Sequence, residues 1–143
     1  MPSESDVRLL LRRSGFGATK SEVDEFVAMA SLDAVVDRIL DDPRLAGAQK
    51  YPTPPPVMAR PDCNSSVPYF QTIALGRWFL DRMAASRFVA KQPTVPHPLR
   101  EKMALFWHGL LVSSLDKDGI YCTHRTLLEQ HLLFRRHAVG KYK

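Results

Sequence analysis

The sequence predicts an all-α protein: an array of about six helices with one long proline-rich connector, an incomplete portion of a larger helical domain. Apolar residues recur at helical spacing on both sides of the connector. Capping residues stand where several of these runs begin, and no pair of alternating apolar runs flanks a turn, so neither a strand pair nor an internal repeat is expected. At 143 residues with 45% hydrophobic and 24% charged side chains, the chain has the composition of one globular domain and not of a disordered one.

The first section, residues 1–40, reads as three short helices. Val7, Leu10 and Leu11 form the inner face of the first, which Gly15-Phe16-Gly17 ends, because glycine accommodates a left-handed turn. Thr19 opens the second, and Glu22 three residues later completes a capping box in which each side chain reaches a free backbone amide. Val23, Phe26, Val27 and Ala30 make its inner face. Ser31 caps a third helix with Leu32, Val35, Val36, Ile39 and Leu40 turned inward.

The connector, residues 41–67, holds Pro43, Pro52, Pro54, Pro55, Pro56 and Pro61. Proline lacks the amide proton and fixes its own φ, so no helix or central strand persists there. The triple proline is also a weak polyproline II ligand pattern, lacking charged flanks or a repeated spacing.

The third section, residues 68–143, is helical again. From Tyr69 to Arg87 a stripe of Tyr69, Ile73, Leu80 and Ala84 is joined by Leu75, Trp78 and Phe79 on other faces. A helix apolar nearly all round is buried on more than one side. Pro98 suits the first turn of the next helix, running to about Ser113, with Leu99, Met103, Phe106 and Leu110 in a narrow arc extended by Trp107 and Leu111. A last helix from about Thr123 to Val139 aligns Leu127, Phe134 and Ala138, and Gly140 stops it.

Charge and cysteine usage narrow the classes. The net charge is +5, but residues 1–44 carry six basic and nine acidic side chains, whereas residues 125–143 carry five basic and one acidic. Such a tail is able to touch nucleic acid through Arg125, Arg135, Arg136, Lys141 and Lys143; more often, basic residues at a helix end complement its dipole and face water. Cys63 and Cys122 make neither a disulfide framework nor a zinc set; one bridge or two free thiols both fit, the thiols more simply. The acidic start lacks the pattern of a secretory signal, and no apolar run reaches the roughly 18 residues of a membrane span, so a cytoplasmic location is expected.

Five histidines raise the question of a metal. His124 and His131 are seven residues apart, roughly 10 Å along a helix, too far to grip one ion. His131 lines up with Leu127 and Phe134, which makes it a hydrogen-bonded core residue, and His137 lies on another arc. His108 is the better candidate for a base or a metal ligand, since it shares an arc with Glu101 away from the main apolar stripe; a satisfied structural histidine is the more common case. Asp116-Lys117-Asp118-Gly119 fails as a calcium loop because Ile120 and Tyr121 stand where an oxygen ligand and glycine are needed. Gly15-Phe16-Gly17 follows no strand and precedes no Walker-type lysine, so it is no phosphate loop, although the neighbouring Arg12 and Arg13 are able to bind an anion. No cofactor is indicated.

Three segments together resemble the bacterial family catalogued as domain of unknown function 1800. They are Leu10-Leu11-Arg12-Arg13-Ser14-Gly15-Phe16-Gly17, the more specific run from Pro98 to Gly109, which includes Phe106-Trp107-His108, and Leu133-Phe134-Arg135-Arg136-His137-Ala138-Val139-Gly140-Lys141-Tyr142. Their order and spacing also agree, and Trp78 falls where the family tends to carry tryptophan. The family often has a histidine where Leu110 stands, so a site built on that pair is half missing here. An alanine is common at the position of Ser14, and the connector looks like a variable insertion. Family members are generally longer, so the resemblance implies an N-terminal portion of a larger architecture; some relatives are exported.

The resemblance implies no reaction. The leading functional expectation is an uncharacterised helical scaffold in which Trp78, Phe79 and Trp107 pack, each ring burying on the order of 150–250 Å². Exposed aromatic faces would meet the missing C-terminal portion or a second copy. The alternative is the N-terminal part of a hydrolase-like or metal-dependent enzyme using His108 and Glu101. A basic nucleic-acid module is the weaker third reading.

Overall fold

Local capping sets the helices of the first section. The computed structural model describes residues 1–45, 67–111 and 123–139. In these it has six helices and no strand: α1 Glu4–Ser14, α2 Lys20–Val27, α3 Leu32–Leu40, α4 Val67–Ala85, α5 Pro98–Leu110 and α6 Thr123–His137. Ser3, Thr19 and Ser31 each accept a backbone N–H of the first turn, and Thr19 with Glu22 forms the expected capping box. The far end of α1 is closed from another helix. Lys102 Nζ on α5 donates to the carbonyls of Arg12 (2.7 Å) and Gly15 (2.8 Å), placing a cation at the negative end of the helix dipole.

Two apolar clusters follow. In the first, Val7, Leu11, Val23, Phe26, Val35 and Ile39 bring α1, α2 and α3 together around Phe88, which enters from the α4–α5 loop. Phe88 meets Phe26 edge-on at 6.2 Å between ring centroids, an arrangement the ring quadrupoles favour. In the second, Leu75 of α4 and Leu128 of α6 pack with Trp78, Phe79, Leu127 and Leu132. Helix α5 joins the two, touching α1 as well as α4 and α6.

The Phe88 loop is held through its backbone. Glu22 Oε1 accepts from the N–H groups of Phe88 (2.7 Å) and Val89 (3.2 Å), while Oε2 of the same carboxylate accepts from the Thr19 amide (2.8 Å). On the other side, the Arg44 guanidinium donates to the carbonyls of Phe88 (2.6 Å) and Arg87 (2.9 Å) and grips Asp42 by two bonds of 2.7 and 2.8 Å. Buried backbone groups demand partners, and here two buried charged side chains supply them. The start of the connector is therefore part of the core: Asp42, Arg44 and Leu45 are buried. The expected polyproline ligand, Cys63, Cys122, Asp116 to Gly119, Gly140, Lys141 and Lys143 lie outside the described residues.

Several expected inner faces are turned outward. Ala30, Leu32 and Leu40 are exposed around α2 and α3. On α4 the expected stripe is on the outside: Ile73 is 40% and Leu80 65% exposed, whereas Leu75 and Arg82 are buried. Within the described residues α4 is thus covered on one side, not several. On α5, which ends at Leu110 rather than Ser113, Phe106 and Leu110 are exposed and Arg100, Glu101 and Ala104 are inside. Apolar periodicity chose the wrong face because charged partners on three helices chose the other one.

The role of the first glycine also differs. Gly15 has φ −155°, an extended backbone and not a left-handed one. It is required by space: a Cβ there would stand 2.7 Å from the Pro98 side chain and 2.8 Å from the Phe88 ring. Gly17 is the residue with positive φ, at 120°. Gly15→Ala should therefore force the α1–α5 contact apart and lower the unfolding free energy by about 1–3 kcal/mol, the usual range for overpacking. Urea denaturation measures this, and an unchanged midpoint would contradict the close approach.

Candidate functional site: a buried charge and histidine layer

The inward faces of α4, α5 and α6 meet over polar side chains. Glu101 on α5 is 1% exposed and its Oε1 accepts from both Arg82 Nη2 of α4 (3.1 Å) and Arg135 Nη2 of α6 (2.5 Å). Two turns further along α5, His108 Nε2 lies 2.9 Å from His131 Nδ1 on α6. Because α5 and α6 are the most closely associated pair of helices, one register of that pair places both contacts. Phe79 of α4 stacks on His131 with ring centroids 3.8 Å apart, and Trp78 meets the same ring edge-on at 5.5 Å. The Arg82 guanidinium lies 5.8 Å from the Trp78 ring centroid. The three aromatic residues expected to pack do so in part: Trp78, Phe79 and Trp107 are each half-buried.

Geometry defines what the histidine pair is. The ring centroids are 5.1 Å apart, and the planes are inclined by only 20°. That centroid separation exceeds the N···N distance by about 2.2 Å, which leaves the two nitrogens aimed at each other nearly along one line. An ion held at about 2.0–2.1 Å by both would need the lone pairs to converge on a third point. The pair as placed is an N–H···N hydrogen bond between imidazoles, one donating and one accepting. Among the described residues no three or more His, Cys, Asp or Glu side chains gather to hold a metal ion.

Burial sets the protonation of this layer. It pushes His131 down to about 2, helped by the neighbouring His108, Arg135 and Arg82, and it lowers His108 as well. Both imidazoles are therefore neutral at pH 7. Burial likewise brings Arg135 down to about 10, against the opposing charge of Glu101, and the side chain stays cationic at neutral pH. Among the described residues, the buried Arg82 Nε, Arg135 Nε and Nη1 and His131 Nε2 have no hydrogen-bond partner. Two arginines thus share one carboxylate.

This placement sorts the residues singled out in the sequence. Glu101 and His108 do share the inner face of α5, but they have different partners. Oε1 of Glu101 is held by two cations, so the carboxylate is a structural counter-ion in this arrangement. His131 is buried and hydrogen-bonded, as its position in line with Leu127 and Phe134 predicted. Arg135 is corrected: grouped with a solvent-facing basic tail, it is 1% exposed and paired to Glu101, out of reach of a nucleic-acid phosphate. Arg136 and His137 are exposed on α6. Lys141, Lys143 and the side chain of Arg125 are outside what the structure describes.

A second buried histidine escaped the sequence reading. His97 precedes Pro98 at the start of α5 and is 1% exposed, with Phe88 edge-on at 5.7 Å. Burial lowers it to about 4, opposed by Asp42 and assisted by Arg44 and Arg100. Burial also works against ionisation of Asp42, but the hydrogen bonds and charge of Arg44 outweigh it and leave the carboxyl below its usual range. In the Asp42-Pro43-Arg44 turn the Arg44 amide donates to the aspartate at 2.8 Å, the local bond by which an aspartate sets a turn.

A family model described as a protein of unknown function (DUF1800) matches residues 9–143, which is nearly the whole chain. The chain belongs to the DUF1800 family. No curated protein and no solved structure matches it. Within DUF1800, then, this member places the arginine of its Leu133–Tyr142 segment, Arg135, against the glutamate of its Pro98–Gly109 segment. No helix among the described residues is long and apolar enough to cross a membrane.

The linkage of this layer to pH has a definite sign. His97 and His131 have folded values below the 6.5 of the unfolded chain, so below pH 6.5 the unfolded state binds more protons than the folded one. Stability is complete above that pH and falls as pH drops, the loss from His97 ending near pH 4 and that from His131 near pH 2. Each site contributes about 1.4 kcal/mol per pH unit inside its window. Urea titrations at pH 7 and pH 5 should show a large loss, and His97→Gln should remove one proton's share of the slope. Equal stability at the two pH values would contradict neutral burial of both rings.

Proposed function

We propose that this DUF1800 chain is a packing scaffold, a helical unit that presents apolar ridges to further helices of a larger assembly. The observation that supports the reading is an inversion: charged side chains occupy the inner faces of α5 and α6, while large apolar ones remain outside. Leu80 is 65% exposed, Leu110 61%, Phe106 54% and Leu133 50%. Phe106 and Leu110 are four residues apart and so share a face of α5, as Ile73 and Leu80, seven apart, share a face of α4. Scattered exposed leucines are ordinary, but paired ridges of this size on neighbouring helices mark surfaces made for protein contact.

The enzymatic alternative rests on His108, which hydrogen-bonds His131, and no hydrogen bond among the described residues joins it to a nucleophile or an acid. The scaffold is therefore the better-supported reading. It predicts that the purified chain self-associates or binds a hydrophobic dye, and that Phe106→Lys with Leu110→Lys abolishes either behaviour without lowering the melting temperature. Sedimentation velocity and dye fluorescence provide the readout. A monomer that binds no dye, unchanged by the double substitution, would contradict it.

A further inference from the structure

The Leu10–Gly17 segment contains residues that the fold does not explain. Leu11 is core, Gly15 is required by the approach of Pro98 and Phe88, and Gly17 by its positive φ. Phe16 has no such reason, and Arg12, in the last turn of α1, has only the helix dipole to answer. Phe16 is 44% exposed although it is flanked by two constrained glycines, so the turn holds a large ring in water. Among the described residues, the Arg12 guanidinium makes no ion pair; only its backbone carbonyl is engaged, by Lys102.

Both residues line one open groove of about 550 Å³ between α1 and the α1–α2 turn. Buried Val23 and half-buried Ala18 form its floor, Leu9 and Phe16 its apolar walls, and Arg8 and Arg12 its charged rim. Arg8 is already matched, since its Nε and Nη2 bind Glu4 at 2.8 and 2.7 Å. One uncommitted cation therefore stands over an apolar trough, and the size is that of a small-molecule site. The trough matches a ligand with an aliphatic body and a single anionic head.

We infer that this groove binds an aliphatic carboxylate, the chain lying between Leu9 and Phe16 and the head pairing with Arg12. The planar guanidinium matches a carboxylate by two parallel hydrogen bonds. Val23 and Ala18 take the chain out of water. The site lies on α1 and the α1–α2 turn, apart from the ridges of α4 and α5, so it is independent of the scaffold reading.

Octanoate is the probe, with octanol as the uncharged control, both followed by amide chemical shifts of the full chain. Saturable shifts centred on residues 8–23 are expected with octanoate, and binding about tenfold weaker with octanol, the loss of one charge-assisted pair. Arg12→Gln should weaken octanoate by a similar factor and leave octanol unchanged, and Phe16→Ala should weaken both. These side chains are on the surface, so the variants should fold, and circular dichroism checks that they do. Equal binding of octanoate and octanol, or octanoate binding indifferent to Arg12→Gln, overturns the proposal, as does the absence of saturable shifts.

Discussion

The packing of α4, α5 and α6 depends on one carboxylate, Glu101, held between two guanidiniums in the interior. A glutamate at 1% exposure is not there for burial's sake, since removing a carboxylate from water costs several kcal/mol before any partner is counted. What the position gives is orientation. Glu101 reaches α4 through Arg82 and α6 through Arg135, and rotation of any of the three helices about its axis strands a charge. With that rotation fixed, Ala104 and His108 also face inward on α5, and Phe106 and Leu110 have no choice but to face outward. The histidine pair is the next layer of the same register, bridging α5 to α6 where Phe79 stacks from α4.

Much of the first section was legible in the sequence because its information is local. Ser3 acts within the first turn that follows it, and so do Thr19 and Ser31; the Thr19–Glu22 box is complete within four residues. Val7, Leu11, Val23, Phe26, Val35 and Ile39 follow the helical period and are all in the core. The faces of α4 and α5 were not legible in that way. Arg82, Glu101 and Arg135 are separated by 19 and 34 residues, and nothing in a single sequence says that they attract one another. Apolar periodicity then assigns the inside to Leu80 and Phe106, because it weighs each helix alone. Arg135 was lost for the same reason: an arginine next to Arg136 and His137 reads as tail, and only the opposing glutamate makes it interior. His131 succeeded because its own helix carried the signal, with Leu127 and Phe134 in line.

The two apolar clusters are joined by polar contacts as well as by packing. The loop that carries Phe88 into the α1–α3 cluster satisfies its amides on Glu22 and its carbonyls on Arg44, so the capping glutamate of α2 and the first turn of the connector fasten α4 and α5 to the opening helices. Lys102 adds a third tie by closing the end of α1. These links make the α1–α2 turn a fixed platform, and they leave the outer ridges of α4 and α5 clear of it.

The most direct measurement compares two variants by urea denaturation at pH 7. Glu101→Gln removes the shared carboxylate and strands two buried arginines, which should cost about 3–5 kcal/mol, whereas the combined Arg82→Met, Glu101→Leu, Arg135→Met replacement removes all three charges and should stay near the parent stability or exceed it. A Glu101→Gln protein as stable as the parent would contradict a central role for this carboxylate, and so would a triple variant that loses as much as the single one.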